Sequence, residues 1–211
     1  MKEIILSLVV ATIAYLLGCC STGLMIARSK GVDIRAVGSH NVGASNVQRV
    51  LGTKLGVITL VGDFFKAIIA CWIGSLLLPS PTFGIAGFGS MLGGLFVIFG
   101  HNWPVFFGFK GGKGVACSAA VVIFVDPLLG GIACIICIIV IAIWRYISLG
   151  SLLLLFTFMV ENLIFHWDQW FRVVFSIVLF VLCAWSHKEN VKRLLKGQER
   201  KLGKKTNTSS N

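Results

Sequence analysis

Charged residues are scarce in this chain, and acidic ones are the scarcest. Only 13% of the 211 residues are charged, just 8 are Asp or Glu, and 56% are hydrophobic. An average soluble domain has about 25% charged residues. Because so little polar surface is left to face water, the composition excludes a soluble domain and a disordered chain. The mean hydropathy of +0.90 indicates an integral membrane protein instead.

Several chemical signatures are absent as well. The sequence has no G-x-S-x-G nucleophile motif and no cluster of metal-ligating residues with usable spacing. Its seven cysteines are an odd number in apolar surroundings, which excludes a disulfide framework. Cys134 and Cys137 have redox-motif spacing, but they lie inside an apolar run and are interpreted as packing residues. The sequence therefore predicts neither a metal nor a cofactor.

Positive charge, by contrast, is in excess. Nineteen Lys and Arg give the chain a formal net charge of +11. They occur in short blocks between long apolar runs, which is typical of a membrane protein with basic cytoplasmic loops. This distribution argues against nucleic-acid binding.

The apolar runs predict an all-α membrane fold with about seven transmembrane helices. Sixteen Lys and Arg fall on one side of these spans, so we expect the N-terminus outside and the C-terminus in the cytoplasm. One long run is split in two at Asp126-Pro127, because the residue before a proline resists helical geometry. Residues 1–187 then form a single transmembrane domain, and residues 188–211 form a basic cytoplasmic segment, disordered from residue 198. The spans are residues 4–27, 55–78, 84–109, 114–144 (two short spans), 151–165 and 173–186.

The first cytoplasmic loop is rich in small and polar residues. Exposed backbone N–H groups in such a segment can surround an anion, and the planar fork of an arginine suits a phosphate. We expect Ser45-Asn46 to cap a helix that carries Arg49 one turn later. An ordinary membrane-surface loop is the alternative interpretation. The candidate residues are Ser39, Asn41, Gly43, Ser45, Asn46 and Arg49.

The second loop, Lys110-Gly111-Gly112-Lys113-Gly114, precedes a span. Backbone donors, a helix N-terminus and two cations would meet there, which favours phosphate binding. Anchoring to anionic headgroups would explain the lysines but not the glycines. The spacing is not that of a Walker A loop, since Gly and not Ser or Thr follows Lys113.

Other polar residues are weaker candidates. Arg145 and Ser148 in the third loop, and His187 and Asn190 after the last span, could join the same site or lie at the membrane surface.

Two further pairs of polar residues lie near or within predicted spans. Asp63 and Lys66 are one helical turn apart and are predicted to form a structural ion pair, whereas His101 and Asn102 could orient the lysine loop.

Taken in order, the motifs resemble those of the PlsY family, the bacterial acyl-phosphate:glycerol-3-phosphate acyltransferases. The resemblance implies a seven-helix enzyme of the bacterial inner membrane with its active site on the cytoplasmic side. It implies transfer of a fatty acyl group from acyl phosphate to the 1-position of glycerol 3-phosphate, giving lysophosphatidate and phosphate. The matching strings are Gly38-Ser39-x-Asn41-x-Gly43-Ala44-x-Asn46-x-x-Arg49, Phe109-Lys110-Gly111-Gly112-Lys113-Gly114-Val115-Ala116, Arg145-x-x-Ser148-Leu149-x-Ser151 and His187-x-x-Asn190-x-x-Arg193-Leu194-Leu195-x-Gly197-x-Glu199.

Matching motif positions assigns Ser39, Arg49 and Lys113 to the substrate phosphates as catalytic residues. The remaining candidates are implied to shape or close the binding site: Asn41, Gly43, Ser45, Asn46, Lys110, Gly111, Gly112, Arg145, Ser148, His187 and Asn190. The chain departs from the family pattern at His40, usually Gly, at Ser45, usually Thr, and at Lys188, commonly Arg.

The chemistry of the implied substrates agrees with the residues present. An acyl phosphate already has a good leaving group, so the protein mainly has to hold two anions together and stabilise developing charge. No His-x-x-x-x-Asp pair is available as a base, so we expect a substrate phosphate oxygen to accept the hydroxyl proton. The expected partners are the two substrates and membrane lipids. A transporter or flippase for an anionic lipid or phosphate metabolite is the alternative function, and a non-catalytic scaffold is a weaker third.

Overall fold

The structure is a computed structural model that describes residues 1–203, and within that range it contains helices and no strands. The predicted disorder of residues 204–211 lies outside the described residues. The α-helices are α1 Lys2–Cys19, α2 Thr22–Ser29, α3 Ala44–Leu51, α4 Thr53–Leu77, α5 Phe88–Asn102, α6 Val115–Val125, α7 Pro127–Trp144, α8 Ile147–Phe165, α9 Trp170–Ser186 and α10 Lys188–Leu195, with a 3-10 turn at Val105–Phe107.

The prediction of an all-α, multi-pass membrane protein is confirmed. Five segments in the described part of the chain are long and apolar enough to cross a bilayer. A sixth is added if α9 and α10, which meet at a bend of 67°, count as one span. The short helix α6 has 11 residues, about 16 Å, against a hydrocarbon core of about 30 Å. Each predicted span contains a helix, while the count of seven and the orientation of the termini stay predictions.

Two helix breaks interrupt the predicted apolar runs. The predicted split at Asp126-Pro127 is confirmed, because the Asp126 carboxylate accepts the N–H of Leu129 at 3.0 Å and caps α7. The first predicted span corresponds to one apolar segment long enough to cross a bilayer, Lys2–Ser29, although this segment is not a single unbroken helix. It is interrupted after α1, and the Ser21 hydroxyl caps α2 by accepting the N–H of Leu24 at 3.4 Å.

Glycines let α1 and α5 approach closely. A side chain at Gly18 would place its Cβ 2.3 Å from the Val97 carbonyl, and one at Gly100 would lie 2.0 Å from the Tyr15 carbonyl. This backbone contact, typical of small residues in membrane helices, sets the end of α1 beside the C-terminal end of α5. That end carries His101 and leads into the second loop.

A separate polar cluster joins the turn between α6 and α7 to the turn between α8 and α9. Asp126 accepts a hydrogen bond from Arg172 at 2.7 Å and lies 3.1 Å from His166 Nε2. Its side chain is 14% exposed. We refer to these three residues as the Asp126 cluster.

Candidate active site

The first loop is organised around the side chain of Asn46, which is fully buried. Its amide nitrogen donates to the carbonyls of Ile34, Val37 and Asn41 at 2.9 to 3.1 Å, and its oxygen accepts the N–H of Ser39 at 2.7 Å. One side chain therefore folds the loop back on itself. Asn46 has no free amide proton for a ligand, so its contribution is to shape the loop.

The prediction that Ser45-Asn46 caps a helix is wrong, but the predicted helix exists and carries Arg49. Helix α3 begins at Ala44 after Gly43, and neither Ser45 nor Asn46 caps it. The Asn41 side chain makes the turn instead, by accepting the N–H of Gly43 at 2.8 Å. The helix does carry Arg49, whose guanidinium lies 3.4 Å from the Asn46 oxygen.

His40 occupies a left-handed backbone conformation, with φ +58°. Such a conformation favours glycine. The His40 side chain is exposed, and its Nδ1 lies 3.0 Å from the Arg35 carbonyl. The extra side chain therefore lies at the edge of the loop and does not crowd its interior.

The second loop uses its glycines differently from the sequence prediction. The N–H of Gly111 donates to the Asn102 carbonyl and that of Gly112 to the His101 carbonyl, at 3.1 and 3.0 Å. These N–H groups are committed to the protein's own carbonyls, contrary to the expectation that they are free for an anion. A Cβ at Gly112 would lie 2.0 Å from His101 Nε2. His101 and Asn102 thus support the loop as predicted, and the loop leads into α6.

Lys113 points into a group of residues from the C-terminal segment. Its ammonium donates to the Asn190 side-chain oxygen. The Asn190 amide in turn donates to Glu199 at 2.8 Å, and Arg193 donates to the other Glu199 oxygen at 2.8 Å. Burial, followed by the charge of Arg193, lowers the pKa of Lys113 to about 8.

Arg49 belongs to the same electrostatic environment. Its charge also contributes to the low pKa of Lys113. The negative charge of Glu199 acts to raise the pKa of both Arg49 and Lys113. Burial and the neighbouring Arg200 lower the pKa of Arg49. Because Arg200 donates to the Gly38 carbonyl at 2.8 Å, the first loop and the C-terminal segment are directly joined. We call Arg49, Lys113, Asn190, Arg193, Glu199 and Arg200 the loop cluster.

The two loops are also in direct contact. Arg35 donates to the Lys110 carbonyl at 2.7 Å, although the Lys110 side chain itself is exposed. Arg35, His40, Val42, Lys110 and Gly111 line an open pocket of about 340 Å³ beside this contact.

His187 is buried at the junction of α9 and α10. Its Nδ1 lies 2.9 Å from the Cys183 carbonyl, so the proton belongs on Nδ1 and Nε2 is left as an acceptor. Burial, with a smaller contribution from Lys113, lowers the pKa of His187 to about 4. The imidazole is therefore neutral at pH 7 and a weak base.

Two candidates are not brought into these contacts. Arg145 is exposed and donates to the Leu202 carbonyl at 2.8 Å, while its own carbonyl accepts the N–H of Leu202. Ser148 is buried, and its hydroxyl has no hydrogen-bond partner among residues 1–203. Arg145 therefore holds the C-terminal segment, whereas a substrate role for either residue stays a prediction.

Glu199 ends the string that resembles the family's C-terminal segment, but it is not among the predicted site residues, and it lies in the stretch predicted to be disordered. For residues 198–203 that prediction is wrong, since Glu199, Arg200 and Leu202 all contact other parts of the chain. The available signal was a lone acid after Gly197 in an otherwise basic segment. Within the described residues, no group of three or more His, Cys, Asp or Glu is arranged to hold a metal ion.

Comparisons with known proteins agree with one another. The family model described as glycerol-3-phosphate acyltransferase matches residues 8–197. A glycerol-3-phosphate acyltransferase of Thermoanaerobacter pseudethanolicus is 44% identical, covering 93% of this chain and 96% of the relative. One of Clostridioides difficile is 37% identical, covering 96% and 98%.

Two solved structures are similar to this fold. Both are of PlsY (YgiH), an integral membrane glycerol 3-phosphate acyltransferase. Its glycerol 3-phosphate form has a TM-score of 0.84 and 37% identity, covering 93% of this chain and 96% of that one. Its lysophosphatidic acid form has a TM-score of 0.82 and 36% identity, covering 93% and 95%.

Proposed function

The chain belongs to the glycerol-3-phosphate acyltransferase family, and from that premise we propose the following reaction. The 1-hydroxyl oxygen of glycerol 3-phosphate attacks the acyl carbon of an acyl phosphate. An ester bond forms, the bond from that carbon to the phosphate oxygen breaks, and lysophosphatidate and phosphate leave. The observation that carries this proposal is that the C-terminal segment joins the two loops: Asn190 accepts a hydrogen bond from Lys113 and donates one to Glu199, and the next residue, Arg200, donates to the carbonyl of Gly38 in the loop that leads to Arg49.

In this mechanism the cations hold phosphate groups and stabilise the charge that develops on the leaving phosphate. Arg49 offers a planar fork and Lys113 a point charge, with the Ser39 hydroxyl as a further donor. Glycines and amides hold these groups in place, and the Asn190 side-chain oxygen orients the Lys113 ammonium by accepting a hydrogen bond from it. The residues proposed to shape or close the site are Asn41, Gly43, Ser45, Asn46, Lys110, Gly111, Gly112, His187 and Asn190.

The hydroxyl proton goes to a phosphate oxygen of a substrate. His187 is a poor base because its pKa is about 4, and both Glu199 oxygens already accept hydrogen bonds from Asn190 and Arg193. A phosphate oxygen held beside the attacking hydroxyl is therefore the better acceptor. Neutral His187 can still accept a hydrogen bond from that hydroxyl through Nε2 and orient it.

We place this site on the cytoplasmic side of the bacterial inner membrane. The loops that carry Arg49 and Lys113 lie on the side to which the excess of basic residues is assigned. Residues 1–187 form the membrane domain, and residues 188–203 complete the site from the same side. A transporter of an anionic lipid is not favoured, since the chain's relatives are acyltransferases.

Phosphate release tests the proposal. Purified protein is supplied with palmitoyl phosphate and glycerol 3-phosphate, and phosphate and lysophosphatidate are measured together. We expect equal amounts of both products, formed only when both substrates are present. Samples without protein correct for spontaneous hydrolysis of the donor. Passage of substrate across vesicles without turnover would contradict the proposal.

A further inference from the structure

One buried group of charged side chains takes no part in the proposed chemistry. Asp63 Oδ1 and Lys66 Nζ of α4 lie 2.9 Å apart, and their side chains are 3% and 9% exposed. His101 Nδ1, on α5, is 3.0 Å from the Lys66 ammonium and 3.7 Å from Asp63. We call these three residues the Lys66 cluster. Charges at such depth in a membrane protein are costly to bury, so the cluster needs a function that apolar packing would not supply.

On one side, the Lys66 cluster holds the break between α1 and α2. Lys66 Nζ donates to the carbonyls of Gly18 and Cys20 at 3.0 and 2.9 Å. Carbonyls at a helix end have no partner within their own helix. Asp63 accepts a hydrogen bond from Thr22, the first residue of α2, at 3.2 Å. The pair thus fixes how α2 leaves α1, and α2 leads into the first loop.

On the other side, the Lys66 cluster supports the second loop. The His101 imidazole is fixed through Nδ1 by Lys66, and the backbone of Gly112 lies against Nε2 of the same ring. The His101 carbonyl also accepts the Gly112 N–H. Lys113 is the next residue, so a movement of the ring would shift its backbone.

We infer that Lys66 is a positioning residue for acyl transfer, whose single ammonium group aligns the two phosphate-binding loops with each other. It acts on the first loop through α2 and on the second through His101, and it touches no substrate. The inference rests on the proposed function of the loops. Loss of Lys66 shifts Arg49 relative to Lys113 and weakens the binding of glycerol 3-phosphate.

The test compares full-length K66M with D126N. The Asp126 cluster is a matched control, because it also ties helix turns through a partly buried acid but contacts Leu129, His166 and Arg172 and neither loop. We expect K66M to raise the KM for glycerol 3-phosphate on the order of tenfold to a hundredfold, the effect of misplacing binding groups by about an ångström. D126N lowers the unfolding temperature and changes this KM less than about twofold.

The double variant D63N/K66M distinguishes an effect of Lys66 on loop position from an effect on the stability of the fold. It leaves no uncompensated buried charge, so it should unfold at a higher temperature than K66M. We expect its KM to stay raised, and hydrogen exchange of residues 38–49 and 110–114 to be faster than in wild type and in D126N. A purely structural role predicts that KM recovers together with the unfolding temperature.

Three results would overturn the inference: a wild-type KM in D63N/K66M, an equal rise of KM in D126N, or unchanged exchange in both loops. Failure of the proposed function has a different signature, namely no glycerol 3-phosphate-dependent phosphate release by the wild-type protein. In that case hydrogen exchange of the two loops alone decides whether Lys66 positions them.

Discussion

The Lys66 cluster and the loop cluster meet at His101 and the second loop, yet their charges are arranged in opposite ways. Lys66 is surrounded by a carboxylate, an imidazole nitrogen and two carbonyls, and its side chain is buried. The loop cluster has four cationic side chains and a single carboxylate, Glu199, which accepts a hydrogen bond from Arg193, and the pKa of Lys113 is lowered to about 8. Compensated charges hold backbone in place, whereas an excess of cations over carboxylates is the arrangement that suits a bound anion.

Among the substitutions that test this comparison, removal of the Lys113 side chain should lower kcat/KM the most. We expect Lys113→Ala to lower kcat/KM by about tenfold to a thousandfold, because a charged hydrogen-bond donor contributes roughly 1.5 to 3 kcal/mol or more. Steady-state kinetics with palmitoyl phosphate and glycerol 3-phosphate measure it. The control is Lys192→Ala, an exposed lysine paired with Glu189, which should retain wild-type kinetics. Wild-type rates in Lys113→Ala would show that the loop cluster, like the Lys66 cluster, does not bind substrate.

Arg49 tests whether geometry matters in addition to charge. Arg49→Ala should also lower kcat/KM by about tenfold to a thousandfold. Arg49→Lys keeps the charge but loses the planar fork, so we expect an intermediate loss of about tenfold. If the lysine variant were as active as wild type, the loop cluster would act as a diffuse positive field without a shaped phosphate site.

The pH dependence sharpens the comparison further. Because the pKa of Lys113 is lowered to about 8, its charge is present below that pH and is lost above it. We expect kcat/KM for glycerol 3-phosphate to fall above about pH 8, by up to about tenfold per pH unit. Glu199 raises the pKa of Lys113, so in E199Q the fall should begin at lower pH. A profile that is flat to pH 10 would show that Lys113 titrates elsewhere or binds no substrate.

The sequence predicted those parts of the fold that depend on local pattern. Each apolar run corresponds to a helical segment among the described residues, and the break at Asp126-Pro127 was readable because its cap and its proline are adjacent. The break before Ser21 was missed because hydropathy stays high across it. Its stabilising partner, Lys66, is 46 residues away from the Cys20 carbonyl that it binds, so no local pattern could show it.

The candidate site shows the same limit. Residue types pointed to Arg49, Lys113 and Asn190 as site residues, because few other roles explain cations among glycines and amides, and this assignment stays a prediction. Contacts between distant segments were not readable. Gly112 donates to a carbonyl of α5, and Glu199 returns from an apparently solvated tail to Asn190.

His40 should give the smallest effect, although it departs from the family pattern. Its side chain is exposed and contacts only the Arg35 carbonyl among the hydrogen bonds of residues 1–203. We expect His40→Gly to change kcat/KM less than about threefold. Glycine relieves about 1 kcal/mol of strain at φ +58°, but it also gains a similar entropy in the unfolded chain. The free energy of unfolding should therefore change by less than about 1 kcal/mol. A KM for glycerol 3-phosphate raised about tenfold would instead show that His40 contributes to substrate binding. His40 would then belong to the loop cluster as a further hydrogen-bond donor.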